Sequence, residues 1–198
     1  MKIRILFLLL LSAVFSGASE KQAKQSAIRL IQRVIPAKAS YFNVEIIPRK
    51  EGKDCFEIES KGSKIVLRGN NGVSVASALN HYLKYYCHAQ VSWNGDNLKL
   101  PGKLPAVPHM ISEFTAFYQR VYLNYCTFSY TMPWWDWKRW EREIDWMAMH
   151  GINMPLSVVG QEAVWQHTLR RFQMTDEEIR SFLVGPAFQA WQWMTNIE

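Results

Sequence analysis

The residues with chemistry to offer lie mostly in the second half of this 198-residue chain. Asn124 and Cys126 end an apolar run, Val121-Tyr122-Leu123. On a strand, residues two apart share a face. Read as a strand, Tyr118 to Cys126 points both side chains the same way. Buried polar groups need partners. Here the partner is either a neighbouring loop, with Cys126 an inert core thiol, or a ligand hydroxyl, and spacing alone favours the loop. Glu162 follows Gly160-Gln161 and either serves a pocket or caps the next helix. Trp134, Trp135, Trp191 and Trp193 present flat rings on which the C–H face of a sugar can stack, although core packing is the commoner role of any one Trp.

Other chemistries find no support. The five histidines, His81, His88, His109, His150 and His167, sit in no recognisable motif with Ser or Cys. GxSxG, P-loop and GxGxxG patterns are absent from the sequence. The three cysteines, Cys55, Cys87 and Cys126, lack metal-site spacing, and an odd number leaves at least one unpaired within the chain. We therefore expect no metal and no cofactor. The formal charge of +6 is spread along the sequence, with no like-charge block to track a phosphate backbone, so a nucleic-acid partner is not expected.

The elements that must position these residues fall into two zones. Of nine Trp, only Trp93 precedes residue 134. A proline-spaced stretch, Pro101 to Pro108, reads as the linker between zones, since prolines at that density fit neither a helix nor a central strand. The expected division is 1–18 as a signal peptide, 19–108 as a small α/β domain with its linker, and 109–198 as the start of a larger domain. In the first zone, helices are expected over 20–35 and 73–86. Strands are expected over 41–48, 55–59 and 64–68, with a hairpin through Asn94-Gly95-Asp96. In the second, Asp136 caps a helix from Trp137 to His150 that Gly151 ends. Trp137, Trp140, Ile144 and Met147 form its core stripe, and Arg139, Glu141, Arg142 and Glu143 its solvated side. Ile152 to Val159 reads as a strand and Gln161 to Arg171 as a helix. Thr175-Asp176-Glu177-Glu178 is a capping box, stapled by Met174 and Ile179. Strand, helix, strand, helix implies a parallel sheet or barrel. Catalytic and substrate groups gather at the C-terminal ends of barrel strands, where Asn124 and Cys126 are expected.

The N-terminus reads as an address. Lys2 and Arg4 precede an apolar run from Ile5 to Phe15, and Ser16-Gly17-Ala18 supplies small residues for cleavage. At about 11 residues the run is short of the roughly 20 that span a bilayer. Export to a periplasmic, extracellular or lysosomal compartment follows, with no membrane association after cleavage.

The stretch Tyr122-Leu123-Asn124-Tyr125-Cys126-Thr127-Phe128-Ser129-Tyr130 resembles the start of the catalytic barrel in α-N-acetylglucosaminidases, glycoside hydrolase family 89. The run Trp134-Trp135-Asp136-Trp137-Lys138-Arg139-Trp140-Glu141-Arg142-Glu143-Ile144-Asp145-Trp146-Met147-Ala148 is very like that family's signature. The likeness continues through Gly151-Ile152-Asn153, Gly160-Gln161-Glu162-Ala163 and Gly185 to Trp191. The resemblance implies a small N-terminal α/β domain followed by the first units of a (β/α)8 TIM barrel. It implies an exo-acting, retaining hydrolase of terminal α-linked N-acetylglucosamine. Such an enzyme uses two carboxyl groups about 5 Å apart, and the family carries both as glutamates on later barrel strands. No catalytic residue is therefore assigned within 1–198, and these residues alone are expected to be inactive. Asn124, Cys126 and Trp191 are implied as part of the sugar-binding pocket. The competing reading is a secreted, non-catalytic carbohydrate-binding protein.

Overall fold

The computed structural model describes residues 19–157 and 159–194; the segment read as a signal peptide lies outside them. No helix among the described residues is long and apolar enough to cross a membrane. The chain forms two compact units, one running through Arg120 and including Glu143–Asn153, the other made of Val121–Arg142 and the chain from Met154 onward.

The first unit is a helix-on-sheet layer. Helix α1 (residues 19–34) has Ala27, Leu30 and Ile31 at helical spacing, and all three are buried. Strands β1 (Phe42–Ile46), β2 (Cys55–Lys61) and β3 (Lys64–Gly69) follow, then helix α2 (Gly72–Tyr85). Short strands β4 (Gln90–Val91) and β5 (Asp96–Asn97) pair as the expected hairpin, and β6 (Ile111–Phe114) completes a sheet ordered β1-β3-β2-β6. β3 pairs parallel with β1 and antiparallel with β2. Alternation sends Val44, Ile58, Ile65 and Leu67 to one face, where they share a core with Leu30 and Ile31 of α1 and Val75, Leu79 and Leu83 of α2. On the other face, Arg68 of the central strand is held by Glu45, Glu57 and Glu59.

Two local devices set α2. Asn71 caps it, its side chain accepting from the Ser74 amide at 2.9 Å. Gly69 ends β3 where a Cβ would meet Val75 N at 2.6 Å and Ser74 Cβ at 2.8 Å, so only glycine lets the strand approach the helix so closely.

The proline-spaced stretch packs on this unit. The Tyr82 hydroxyl donates to the Pro105 carbonyl at 2.6 Å, and the Val107 amide donates to Ser60 Oγ at 2.8 Å. Burial pushes the Tyr82 phenol above its ordinary range and keeps it a donor. Val107 is buried and β6 pairs with β2, so the first unit extends past the boundary expected at residue 108.

The unit also takes in the end of helix α4 (Trp137–Met149). Gly151, at φ +77°, closes that helix in a Schellman turn, with the Ile152 amide donating to the Met147 carbonyl at 2.9 Å. The expected solvated side of α4 is corrected here. Glu143 is fully buried and accepts from the Trp93 indole at 2.9 Å, while Asp145 takes a two-pronged contact from Arg33 at 2.7 and 2.6 Å. The stripe is corrected too: Met147 is buried, but Trp137 and Ile144 are exposed. The local pattern misleads because the partners, Trp93 and Arg33, lie far away in sequence.

Asp54 joins the pieces. It accepts from Asn70 at 2.9 Å, Asn71 at 3.1 Å and Arg120 at 2.7 Å. Burial works to raise its carboxyl, but these donors together win and hold it below 3.8. A depressed folded pKa adds stability that is present above the unfolded value and lost as pH falls through the folded one. Acid titration of unfolding should therefore show a loss below about pH 4 that Asp54→Asn flattens; parallel curves for the two proteins would refute this. Gly69→Ala should cost about 1–3 kcal/mol in denaturant unfolding, and an unchanged midpoint would contradict the close approach.

Candidate functional site

The second unit holds the residues singled out for sugar contact. Strand β7 is only Val121–Tyr122, not the long strand expected from Tyr118 to Cys126. Leu123 adopts φ +84°, a left-handed backbone that ends extended structure. Asn124 then caps helix α3 (Tyr125–Thr131), its side-chain oxygen accepting from the Cys126 amide at 2.7 Å. The shared strand face expected for Asn124 and Cys126 is therefore corrected: they sit at the cap and in the first turn of a helix. The reason is local. Asn competes for the backbone just ahead of it, and Phe128 and Met132 bury on α3 and the turn after it, in a small cluster with Ala190.

The two residues remain neighbours, at the C-terminal end of β7. Asn124 is exposed and the Cys126 thiol half-buried and free. Cys126 and Tyr130 are four apart on α3 and so share one face. Trp191 lies on helix α7 (Gln189–Trp193), and its ring meets Tyr130 edge-on at 5.7 Å. The Ala190 amide donates to Ser129 Oγ at 3.3 Å and pins α7 to α3. The structure thus brings Trp191 to α3 through Tyr130, which was not assigned from sequence; its four-residue spacing from Cys126 becomes informative only once α3 is known to be a helix. Phe188 flanks Trp191 at 6.4 Å.

The other candidates take structural places. Asp136 Oδ1 accepts from the Arg139 amide at 2.8 Å and caps α4. Trp135 meets Trp140 edge-on at 5.0 Å and the Arg139 guanidinium at 3.7 Å. Trp134 is exposed. Trp193 stacks on Trp165 at 5.0 Å. The second expected strand shrinks to β8 (Met154–Pro155), which pairs parallel with β7. Helix α5 (Gln161–Arg171) carries Glu162 in its first turn, where a negative charge suits the helix terminus. Thr175 forms the expected capping box with Glu178 and opens helix α6 (Asp176–Phe182). Two bonds from the Thr175 side, the backbone amide first, hold the Glu178 carboxyl below its ordinary range. Gln192 ties the end of α6 to α7 by bonding Phe182 O and the Val184 amide. No cluster of His, Cys, Asp and Glu fit to hold a metal occurs among the described residues.

A parallel β7–α3–α4–β8 unit following an α/β layer is the way a (β/α) barrel opens, and comparison with known proteins agrees. The family model for the Alpha-N-acetylglucosaminidase (NAGLU) N-terminal domain matches residues 25–106, and that for the TIM-barrel domain matches residues 120–198. The chain is 42% identical over 195 residues to alpha-N-acetylglucosaminidase of Homo sapiens, covering 96% of this chain and 26% of that protein. A Family 89 glycoside hydrolase from Clostridium perfringens, solved with 2-acetamido-1,2-dideoxynojirmycin, superposes with TM-score 0.86 at 40% identity, over 90% of this chain and 21% of that one. The same TM-score and identity hold for a variant of the Clostridium perfringens enzyme with two glutamates changed to glutamine, in complex with its substrate GlcNAc-alpha-1,4-galactose. The chain belongs to the α-N-acetylglucosaminidase family, glycoside hydrolase family 89. It spans about a quarter of the length of the curated relative it matches.

Removing the Asn124 cap should cost about 0.5–2 kcal/mol in Asn124→Ala, while Asn124→Asp should retain most of it. Thermal unfolding of the two variants checks this; equal losses would contradict the capping geometry.

Proposed function

We propose that this chain is the N-terminal part of an exo-acting, retaining glycosidase that removes terminal α-linked N-acetylglucosamine. The observation that carries the reading is the ordered match along nearly the whole chain to enzymes of that one specificity. The two glutamates changed in the relative's substrate complex fit a two-carboxylate mechanism. In that mechanism one carboxyl protonates the departing oxygen. The other attacks the anomeric carbon and forms a glycosyl-enzyme that water then opens.

No residue of 1–198 takes either part, so these residues alone release no aglycone. Their share is recognition. Asn124 offers a side-chain amide whose oxygen already serves the helix cap, leaving its NH2 free to donate to a sugar oxygen. Cys126 borders the same point, and Trp191 supplies an indole face against which ring C–H groups pack. A neutral, partly aromatic surface of this kind suits an uncharged amino sugar. The segment 1–18 is an export signal in this reading, and the mature protein works outside the cytoplasm.

Titration of the isotope-labelled chain with 2-acetamido-1,2-dideoxynojirmycin tests the site. Shifts are expected at the Asn124 side-chain amide, the Cys126 amide and the Trp191 indole. Trp191→Ala should weaken binding by about tenfold, as loss of 1.4 kcal/mol of stacking would. Shifts confined to other residues would overturn the assignment of this site. Release of a chromogenic aglycone from an α-N-acetylglucosaminide by residues 1–198 would overturn the placement of the catalytic pair elsewhere.

A further inference from the structure

The β7–β8 pair is too short and too plain to define its own register. Each strand is two residues long, and Pro155 of β8 has no amide to donate. Register is ordinarily specified by which side chains are buried, yet Val121, Met154 and Pro155 are all exposed and Tyr122 only half-buried. The specification has to come from elsewhere.

It is present one residue upstream of each strand. The Arg120 amide donates to Asn153 Oδ1 at 2.9 Å, the Asn153 side-chain amide donates to the Tyr118 carbonyl at 2.8 Å, and the Asn153 backbone amide donates to the Arg120 carbonyl at 3.3 Å. Through its side chain and its backbone together, Asn153 thus bonds the Tyr118 carbonyl and both the amide and the carbonyl of Arg120, a set that a one-residue slip would break at once. The Arg120 guanidinium fixes this arrangement. It reaches Asp54 at 2.7 Å, the Phe117 carbonyl at 2.8 Å and the Gly151 carbonyl at the end of α4. Its side chain is only 16% exposed, so these donors have little water to fall back on.

We infer that Arg120, acting with Asn153, sets the register of the β7–β8 pair and is thereby a positioning residue for Asn124, two residues beyond β7. The register part stands on the hydrogen bonds alone; the part concerning Asn124 rests on the sugar-contact reading above. Arg120 touches no substrate in this scheme. It acts through the strand.

Amide hydrogen exchange on the 198-residue chain, followed by NMR, separates this from a general contribution to stability. The Leu156 amide donates to the Tyr122 carbonyl at 2.9 Å across the pair; in Arg120→Met, the Asn153 and Leu156 amides should exchange at least about tenfold faster, while Val66 and Leu67 in β3 keep their rates. Arg120→Lys retains the charge opposite Asp54 but not the fork, and should fall between. Faster exchange everywhere, or none at Asn153 and Leu156, would overturn the inference. If Arg120→Met does not fold, Asn153→Asp is read the same way. It keeps the acceptor for the Arg120 amide and loses the donor to Tyr118, so Leu156 should again exchange selectively, and an unchanged rate would overturn the inference. The register readings need no sugar. Failure of the Asn124 reading shows separately, as absence of iminosugar shifts at Asn124 in the unsubstituted chain.

Discussion

Two carboxylates buried on the last turns of α4 hold the first unit together. Glu143 and Asp145 are two residues apart, so they leave the helix on nearly opposite sides. One accepts from Trp93 in the β4–β5 hairpin and the other from Arg33 of α1. The helix end is therefore gripped from both sides. Withdrawing Trp93 or Arg33 would take a hydrogen bond from a buried acid, which costs about 1–3 kcal/mol, so neither α1 nor the hairpin can withdraw without penalty. Met149 belongs to the same core as Leu79 and Leu67, which adds apolar burial to the polar grip.

The consequence is a division of labour that does not follow chain order. The family models split the sequence at residues 106 and 120, yet residues 143–153 fold with the N-terminal layer. In the second unit, α3 and α7 carry the sugar-contact candidates on a surface braced by Ser129, Phe128, Met132 and Ala190. The Asn124 oxygen completes a helix cap there, and in the proposed reading its NH2 is left for a ligand.

Much of the layer was legible in the sequence because the signals are local. The α1 and α2 stripes, the β2–β3 hairpin, the Asp136 cap and the Thr175 capping box are each written within a few residues and recur in the structure. Spacing made Asn124 and Cys126 candidates and resemblance made them the preferred ones, but the strand geometry read for them is replaced by a helix cap and first turn. Val, Tyr and Leu favour a strand, and nothing local announces that Leu123 takes a left-handed backbone and lets Asn124 open a helix. Glu143 was misread for a related reason. A charged residue on an amphipathic helix is ordinarily solvated, and its burial depends on an indole fifty residues earlier. Trp191 was distinguishable from its eight fellow tryptophans only by resemblance, and the structure adds Tyr130 as its neighbour.

The first unit depends most on the end of α4 being locked to α1 by charge. A double-mutant cycle on Arg33 and Asp145, read by denaturant unfolding of the 198-residue chain, measures that directly. Arg33→Met and Asp145→Asn should each destabilise, and their combination should cost less than the sum by about 1.5–3 kcal/mol, the range for hydrogen bonds between charged groups. Strict additivity would mean the two side chains do not depend on each other, and the helix end would not be held as described.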